Sequence, residues 1–193
     1  IWEVNGYADN GAPAWGLYTD EGSQGLVFRD NLVERCRDGA LHQHYGRENV
    51  YSNNLFLAFS KAGAWRSRAE DHVTVRVLNN VFWWTDPEGA AYRGGGNFES
   101  MRDVVADGNV YWCATGAVKE TAFKGADWAR WRAQGHDARG VIADPLFVDP
   151  ARGDWRLRPG SPALAAGFRP FDWRAAGVYG TDAAWRACAE EWC

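Results

Sequence analysis

Glu48-Asn-Val-Tyr-Ser-Asn-Asn-Leu-Phe56 reads as an extended run, a polar pair ending in Asn, and a second extended run. The same pattern stands at Gly25-Leu-Val-Phe-Arg-Asp-Asn-Leu-Val33 and at Thr74-Val-Arg-Val-Leu-Asn-Asn-Val-Phe82. It returns more faintly at Arg102-Asp-Val-Val-Ala-Asp-Gly-Asn-Val-Tyr111. The closing asparagines Asn31, Asn54, Asn80 and Asn109 are 23, 26 and 29 residues apart. A pattern returning at that period marks stacked units, each too small to bury a core alone. The apolar runs are short, rich in Val, Phe, Leu and Tyr, and broken by Gly, Asn and Asp, which is strand and turn chemistry. Strand, turn and strand in one such unit make one coil of a parallel β-helix, an all-β solenoid. An antiparallel sandwich would repeat its strands every ~8–12 residues instead. Asn suits the corner, because it tolerates left-handed backbone and its amide can bond the Asn one coil away.

Working outward, Gly16, Gly39 and Gly63 open successive coils at steps of 23 and 24. Coils are expected at 16–38, 39–62, 63–96 and 97–118, with Thr85–Asn97 as a projecting loop. Residues 1–118 thus form the stack and 119–193 a C-terminal capping region carrying short helices. Residues 126–135 read as a short amphipathic helix with Trp128 and Trp131 three apart. The Pro- and Gly-rich stretch after it is expected to seal the end of the stack, and a last helix is expected at 182–191. The chain begins at Ile1 without a Met, and no cap precedes the first coil. Missing upstream coils are therefore expected.

Composition bounds the function. The 193 residues carry a net charge of −4, so no strongly basic face is required and general nucleic-acid affinity is not expected. No apolar run reaches the length of a membrane span. Of the four cysteines, Cys36 and Cys113 end apolar strands and read as buried thiols; Cys188 and Cys193 lie in the tail, and their pairing stays open. Twelve tryptophans exceed what a small core needs; most are expected in core and cap, and exposed ones would stack on sugar rings.

Polar residues concentrate in one register. Aligning the leading glycines stacks Thr19, His42 and Arg66, and likewise Glu21, His44 and Arg68. Strand residues two apart share a face, and coils lie about 4.8 Å apart. Acid, imidazole and guanidinium would then form one patch, with Asp20 turning outward too if the strand ends before it. A polar ladder that only stabilises the stack would look the same. A metal held by His42, His44 and Glu21 is the other use of such a cluster, opposed by the two arginines.

These residues carry a resemblance. Trp15-Gly-Leu-Tyr-Thr-Asp-Glu-Gly-Ser23, His42-Gln-His-Tyr-Gly-Arg-Glu-Asn49 and Arg66-Ser-Arg-Ala-Glu-Asp-His72 resemble the later coils of secreted right-handed parallel β-helix proteins. The group most similar is glycoside hydrolase family 141, whose members include α-L-fucosidases and xylanases acting on plant cell-wall polysaccharides. Ala143-Asp-Pro-Leu-Phe-Val-Asp149 and Gly160-Ser-Pro-Ala-Leu164 resemble the end section of many such proteins. The likeness covers most of residues 15–180 and implies a secreted or periplasmic carbohydrate-active enzyme with no cofactor. It implies catalysis by two aspartates on nearby coils, one matching Asp20 in Tyr-x-Asp-Glu-Gly. The other would stand upstream, where the first nineteen residues hold only Asp9, in no matching motif.

Glycoside hydrolysis needs two carboxyl groups flanking the scissile bond. Asp20 is the first, Glu21 the internal candidate for the second, and Glu70 the next. His42 and His44 would bind hydroxyls or tune a carboxylate. Arg66 and Arg68 would hold a uronate, while Tyr18, Tyr45 and Trp65 would stack on the sugar. A polysaccharide lyase, which would call for Ca²⁺, and a non-catalytic glycan-binding shaft are the rival readings.

Overall fold

The computed structural model describes residues 1, 3–5 and 13–176. Asp9, Cys188, Cys193 and the helix expected at 182–191 lie outside the described residues. The chain is a right-handed parallel β-helix of about four turns. The first coil holds β1 (Trp15–Thr19), β2 (Ser23–Gln24), β3 (Val27–Arg29) and β4 (Leu32–Glu34). The second repeats it as β5 (Gly39–Gln43), β6 (Gly46–Arg47), β7 (Asn49–Ser52) and β8 (Leu55–Leu57). The third has β9 (Ala62–Arg66), β10 (Val75–Leu78) and β11 (Val81–Trp84). The fourth has β12 (Ala90–Gly94), β13 (Val104–Asp107) and β14 (Val110–Cys113). Stacking gives three main parallel sheets, β1-β5-β9-β12, β3-β7-β10-β13 and β4-β8-β11-β14.

Three sequence expectations change along the coils. Thr85–Asn97 does not project as a loop, because its middle is β12, paired with β9 from Ala90↔Ala62 to Gly94↔Arg66. Ala90 and Ala91 put small residues opposite Ala62 and Gly63, which suits the segment to the same rung. The corner asparagines do not themselves take the left-handed conformation. The residue before each does: Asp30, Asn53, Asn79 and Gly108, at φ of 58°, 57°, 52° and 69°. The coil register also differs by one residue in β5. Trp15 pairs with Gly39, and Gly39 with Ala62, so Ala40 rather than Gly39 matches Gly16 and Gly63. A Cβ on Gly16 would meet the Val33 side chain at 2.2 Å, and one on Gly63 the Phe82 ring at 2.4 Å, so both positions face the interior. A Cβ on Gly39 would meet the outward Trp15 ring at 2.4 Å.

The asparagines form a buried ladder along the axis. Asn54 donates through its backbone N–H (2.8 Å) and Nδ2 (2.9 Å) to Asn80 Oδ1. Asn31 does the same to Asn54, and Asn80 to Asn109. Each Nδ2 also donates to a backbone carbonyl, as Asn80 does to Tyr51 O at 2.9 Å. The ladder ends on Asp137, whose Oδ1 accepts both donors of Asn109. A carboxylate accepts without needing to donate onward, so Asp closes a chain of amides. Its Oδ2 accepts from the Tyr111 hydroxyl at 2.7 Å and the Trp131 indole at 2.9 Å. Burial pushes the Asp137 carboxyl above its usual range, although these hydrogen bonds oppose it.

Inside the coils lie Val33, Tyr51, Phe56, Phe82, Trp84, Tyr92 and Tyr111. Cys36 and Cys113 are buried free thiols, as the sequence implied. The C-terminal end is closed by α1 (Trp128–Ala133), N-capped by Asp127, which drives Trp131 into the core. β15 (Val141–Ile142) adds a short fifth strand beyond β14. The next segment does not seal the end of the stack. The antiparallel pair β16 (Phe147–Asp149) and β17 (Asp154–Leu157), with α2 (Pro162–Ala166), lies on the flank. There Phe147, Trp155, Ala163 and Phe168 cover Leu55, Leu57, Val81 and Val110, the outward side chains of the third sheet. Those strands are apolar on both faces, so the outer face also has to be covered.

Candidate functional site

Among the described residues, no such cover lies over the outer face of the β1-β5-β9-β12 sheet. Register puts Tyr18, His42, Trp65 and Arg93 in one outward row. Tyr18 stacks on His42 with ring centroids 4.6 Å apart and planes at 7°. Trp15 closes on the same histidine at 4.8 Å and on Trp65 at 5.7 Å. The result is an aromatic and imidazole platform across three coils. Trp15 was not among the residues singled out from the sequence, because its register partner is Gly39 and only the folded side chain reaches His42.

β1 ends at Thr19, and Asp20 begins a turn closed by Ser23 N–H to Asp20 O at 3.1 Å, with Gly22 at φ 71°. The turn frees Asp20 and Glu21 from strand alternation, so both carboxylates reach the same imidazole. Asp20 Oδ1 is 3.1 Å and Glu21 Oε1 3.8 Å from His44 Nδ1. A carboxylate only accepts, so His44 Nδ1 carries the proton. Tyr18 donates to Asp20 at 3.2 Å and Tyr45 to Glu21 at 3.1 Å. The His44 hydrogen bond, then the Glu21 backbone N–H, holds the Asp20 carboxyl below its usual range. The two acids are 70% and 62% exposed, open to a large ligand. Tyr45 carries the Arg68 guanidinium over its ring at 3.8 Å, and Arg68 pairs with Glu70 at 2.7 Å. A shallow cleft of about 240 Å³ beside them is bordered by Gln24, Tyr45, Arg68, Glu70 and His72.

His42 bonds Ser67 Oγ through Nε2 at 2.7 Å. Burial, then the charge of His44, pushes its pKa down to about 4, so the ring is neutral at ordinary pH. Tyr18 is raised by burial and by its bond to Asp20.

Asp20, Glu21, His42, His44, Tyr45, Arg68 and Glu70 therefore share one surface. Arg66 does not. With the one-residue register shift it pairs with Gln43 and Thr19, the inward row. Its side chain is 3% exposed, 3.5 Å from the buried Asp103 carboxylate, and it donates to Ser100 O and Oγ. It cannot touch a ligand on the outer face, and its expected substrate role falls. The predicted stacks Thr19–His42–Arg66 and Glu21–His44–Arg68 fall with it. No group of three or more His, Cys, Asp or Glu side chains among the described residues is arranged to hold a metal ion. No helix among the described residues is long and apolar enough to cross a membrane. Comparison with family models, curated proteins and solved structures gave no match for the chain.

Proposed function

We propose that this face binds a complex polysaccharide, such as a plant cell-wall glycan, and that the protein is a glycoside hydrolase of the cell exterior. The observation that carries the reading is the convergence of Asp20 and Glu21 on one imidazole beside an aromatic platform. Their two oxygens, at 3.1 and 3.8 Å from the same nitrogen, lie no more than about 7 Å apart. That bound admits the ~5 Å spacing of a retaining carboxyl pair. Asp20, kept ionised by His44 and the Glu21 backbone N–H, is the anion that attacks carbon or activates water. Glu21, held by the Tyr45 hydroxyl, is the group that gives a proton to the leaving oxygen. Trp15, Tyr18 and His42 offer flat surfaces to sugar rings. Asp20→Asn is expected to lower glycan turnover at least about 100-fold with the fold intact, as loss of a catalytic carboxylate does. Turnover within twofold of the unmodified chain would remove Asp20 from the reaction.

The non-catalytic reading draws on the exposure of these acids. Neither Asp20 nor Glu21 sits in an apolar pocket of the kind that keeps a general acid protonated. Oligosaccharide binding without release of reducing ends would favour a glycan-binding shaft. The lyase reading loses one of its basic residues with Arg66.

A further inference from the structure

The row Tyr18, His42, Trp65, Arg93 does not end at the acidic site. Beyond Trp65 it enters a cleft of about 380 Å³ bordered by Trp65, Arg93, Gly94, Lys119, Thr121 and Lys124. The cations there are held mainly by backbone. Arg93 Nη2 donates to Glu88 O at 2.8 Å, and Lys124 Nζ donates to Gly94 O. Lys119 Nζ donates to Glu88 O at 2.6 Å and reaches its carboxylate at 3.3 Å. Behind the wall stands a fourth cation, the buried Arg66. Against four cations there are two carboxylates, Asp103 on Arg66 and Glu88 on Lys119. Among the described residues neither Arg93 nor Lys124 has a carboxylate partner; their ion-pairing capacity is unspent.

Backbone carbonyls fix where these cations sit without cancelling their charge. A fixed charge in a concave wall is worth more to a ligand than one on a free surface chain. Lys124 also bears the cost of its place, since burial and then the Arg66 charge lower its pKa. A bound anion would remove part of that cost. The cleft offers an indole face at one end and guanidinium and ammonium groups at the other, a match for a ring bearing an acidic substituent.

We infer that the Trp65–Arg93–Lys124 cleft is a subsite for an anionic sugar residue, carboxylated or sulfated, of the glycan whose other end reaches Asp20 and Glu21. The inference rests on the glycan reading above. It moves acid recognition from Arg66, which is interior, to cations three coils from the carboxylates along the stack.

The test is calorimetric titration of the intact chain at low ionic strength with trigalacturonate, its full methyl ester and a sulfated galactotriose. The ester keeps the rings and removes the charge. At least one charged trisaccharide is expected to bind about tenfold tighter than the ester, the scale of a hydrogen bond to a charged group. That preference is expected to shrink as salt is added. In the double variant Arg93→Gln/Lys124→Gln the preference is expected to vanish, with the circular-dichroism melt as the check on folding. Whichever charged sugar keeps the preference identifies the substituent. Ester and charged sugars binding alike to the unmodified chain would overturn the subsite and leave the glycan reading standing. A well-folded double variant that keeps the preference would also overturn it. Binding of none of the three would overturn the subsite, and absence of turnover or binding across a wider glycan panel would be the separate failure of the glycan reading.

Discussion

Asn80 shows how much one side chain carries in this chain. It is fully buried, accepts two hydrogen bonds from Asn54, and donates to Asn109 and to Tyr51 O. Asn80→Leu leaves the Asn54 backbone N–H and one of its two Nδ2 hydrogens without an acceptor in the interior, and Tyr51 O without that donor. Each such orphan costs about 1–3 kcal/mol, so a loss of about 3 kcal/mol or more in denaturant unfolding is expected. A loss under about 1 kcal/mol would mean the ladder is not holding the coils. The asparagines were legible in the sequence because their period is regular. Asp137, which closes the ladder 28 residues after Asn109, was not recognised, because a carboxylate breaks the Asn pattern although it continues the spacing. His136 beside it gives a pH test. Its ring lies 3.9 Å from Trp131, and burial lowers its pKa from 6.5 to about 4. The unfolded chain therefore takes up a proton that the folded chain refuses. Stability from this residue is full above pH 6.5 and falls by about 1.4 kcal/mol per pH unit down to about 4. Unfolding measured across that window in His136→Phe is expected to lose that part of the slope; a slope unchanged from the unmodified chain would contradict the assignment.

At the scale of elements, the strands of the third sheet decide where the C-terminal segment goes. Leu55, Leu57, Val81 and Val110 point away from the coil interior and are buried only because β16, β17 and α2 lie over them. Trp155 is the centre of that cover, against Trp83 at 5.2 Å and Phe147 at 5.1 Å, with its indole N–H on Glu34 at 3.2 Å. Trp155→Ala is expected to cost about 3–5 kcal/mol in thermal or denaturant unfolding. A cost below about 1 kcal/mol would show that the flank packing is loose. The sequence showed strands and Pro-Gly turns here but not which surface they would meet. Residues apolar on both strand faces, as in Leu55-Phe-Leu57 and Val81-Phe-Trp-Trp84, were the available signal. The register slip arose at the same scale. Gly and Ala both fit the crowded inward position, so Ala40 took the place of a glycine and Gly39 drew the alignment one residue away.

Across the whole molecule, the solenoid converts sequence period into a surface. One sheet is covered by the flank segment. Another presents an open row that runs from the acids of the first coil to the cations beyond the third. The period, the strand class and the nearness of Glu21 to His44 were legible from spacing; the facing of Asp20 was left open, and the bond from Tyr45 to Glu21 was not foreseen. Side-chain facing was not legible, because one residue of slip exchanges the interior with the exterior, as it did for Arg66. The proposed function makes the open row a glycan surface. It is tested most directly by titrating the chain with cell-wall oligosaccharides while following the ring proton resonances of His42 and His44 and the release of reducing ends. Saturable shifts at both histidines are expected with at least one oligosaccharide, together with product release that Asp20→Asn abolishes. Histidine resonances unmoved by every sugar, with no product formed, would contradict it.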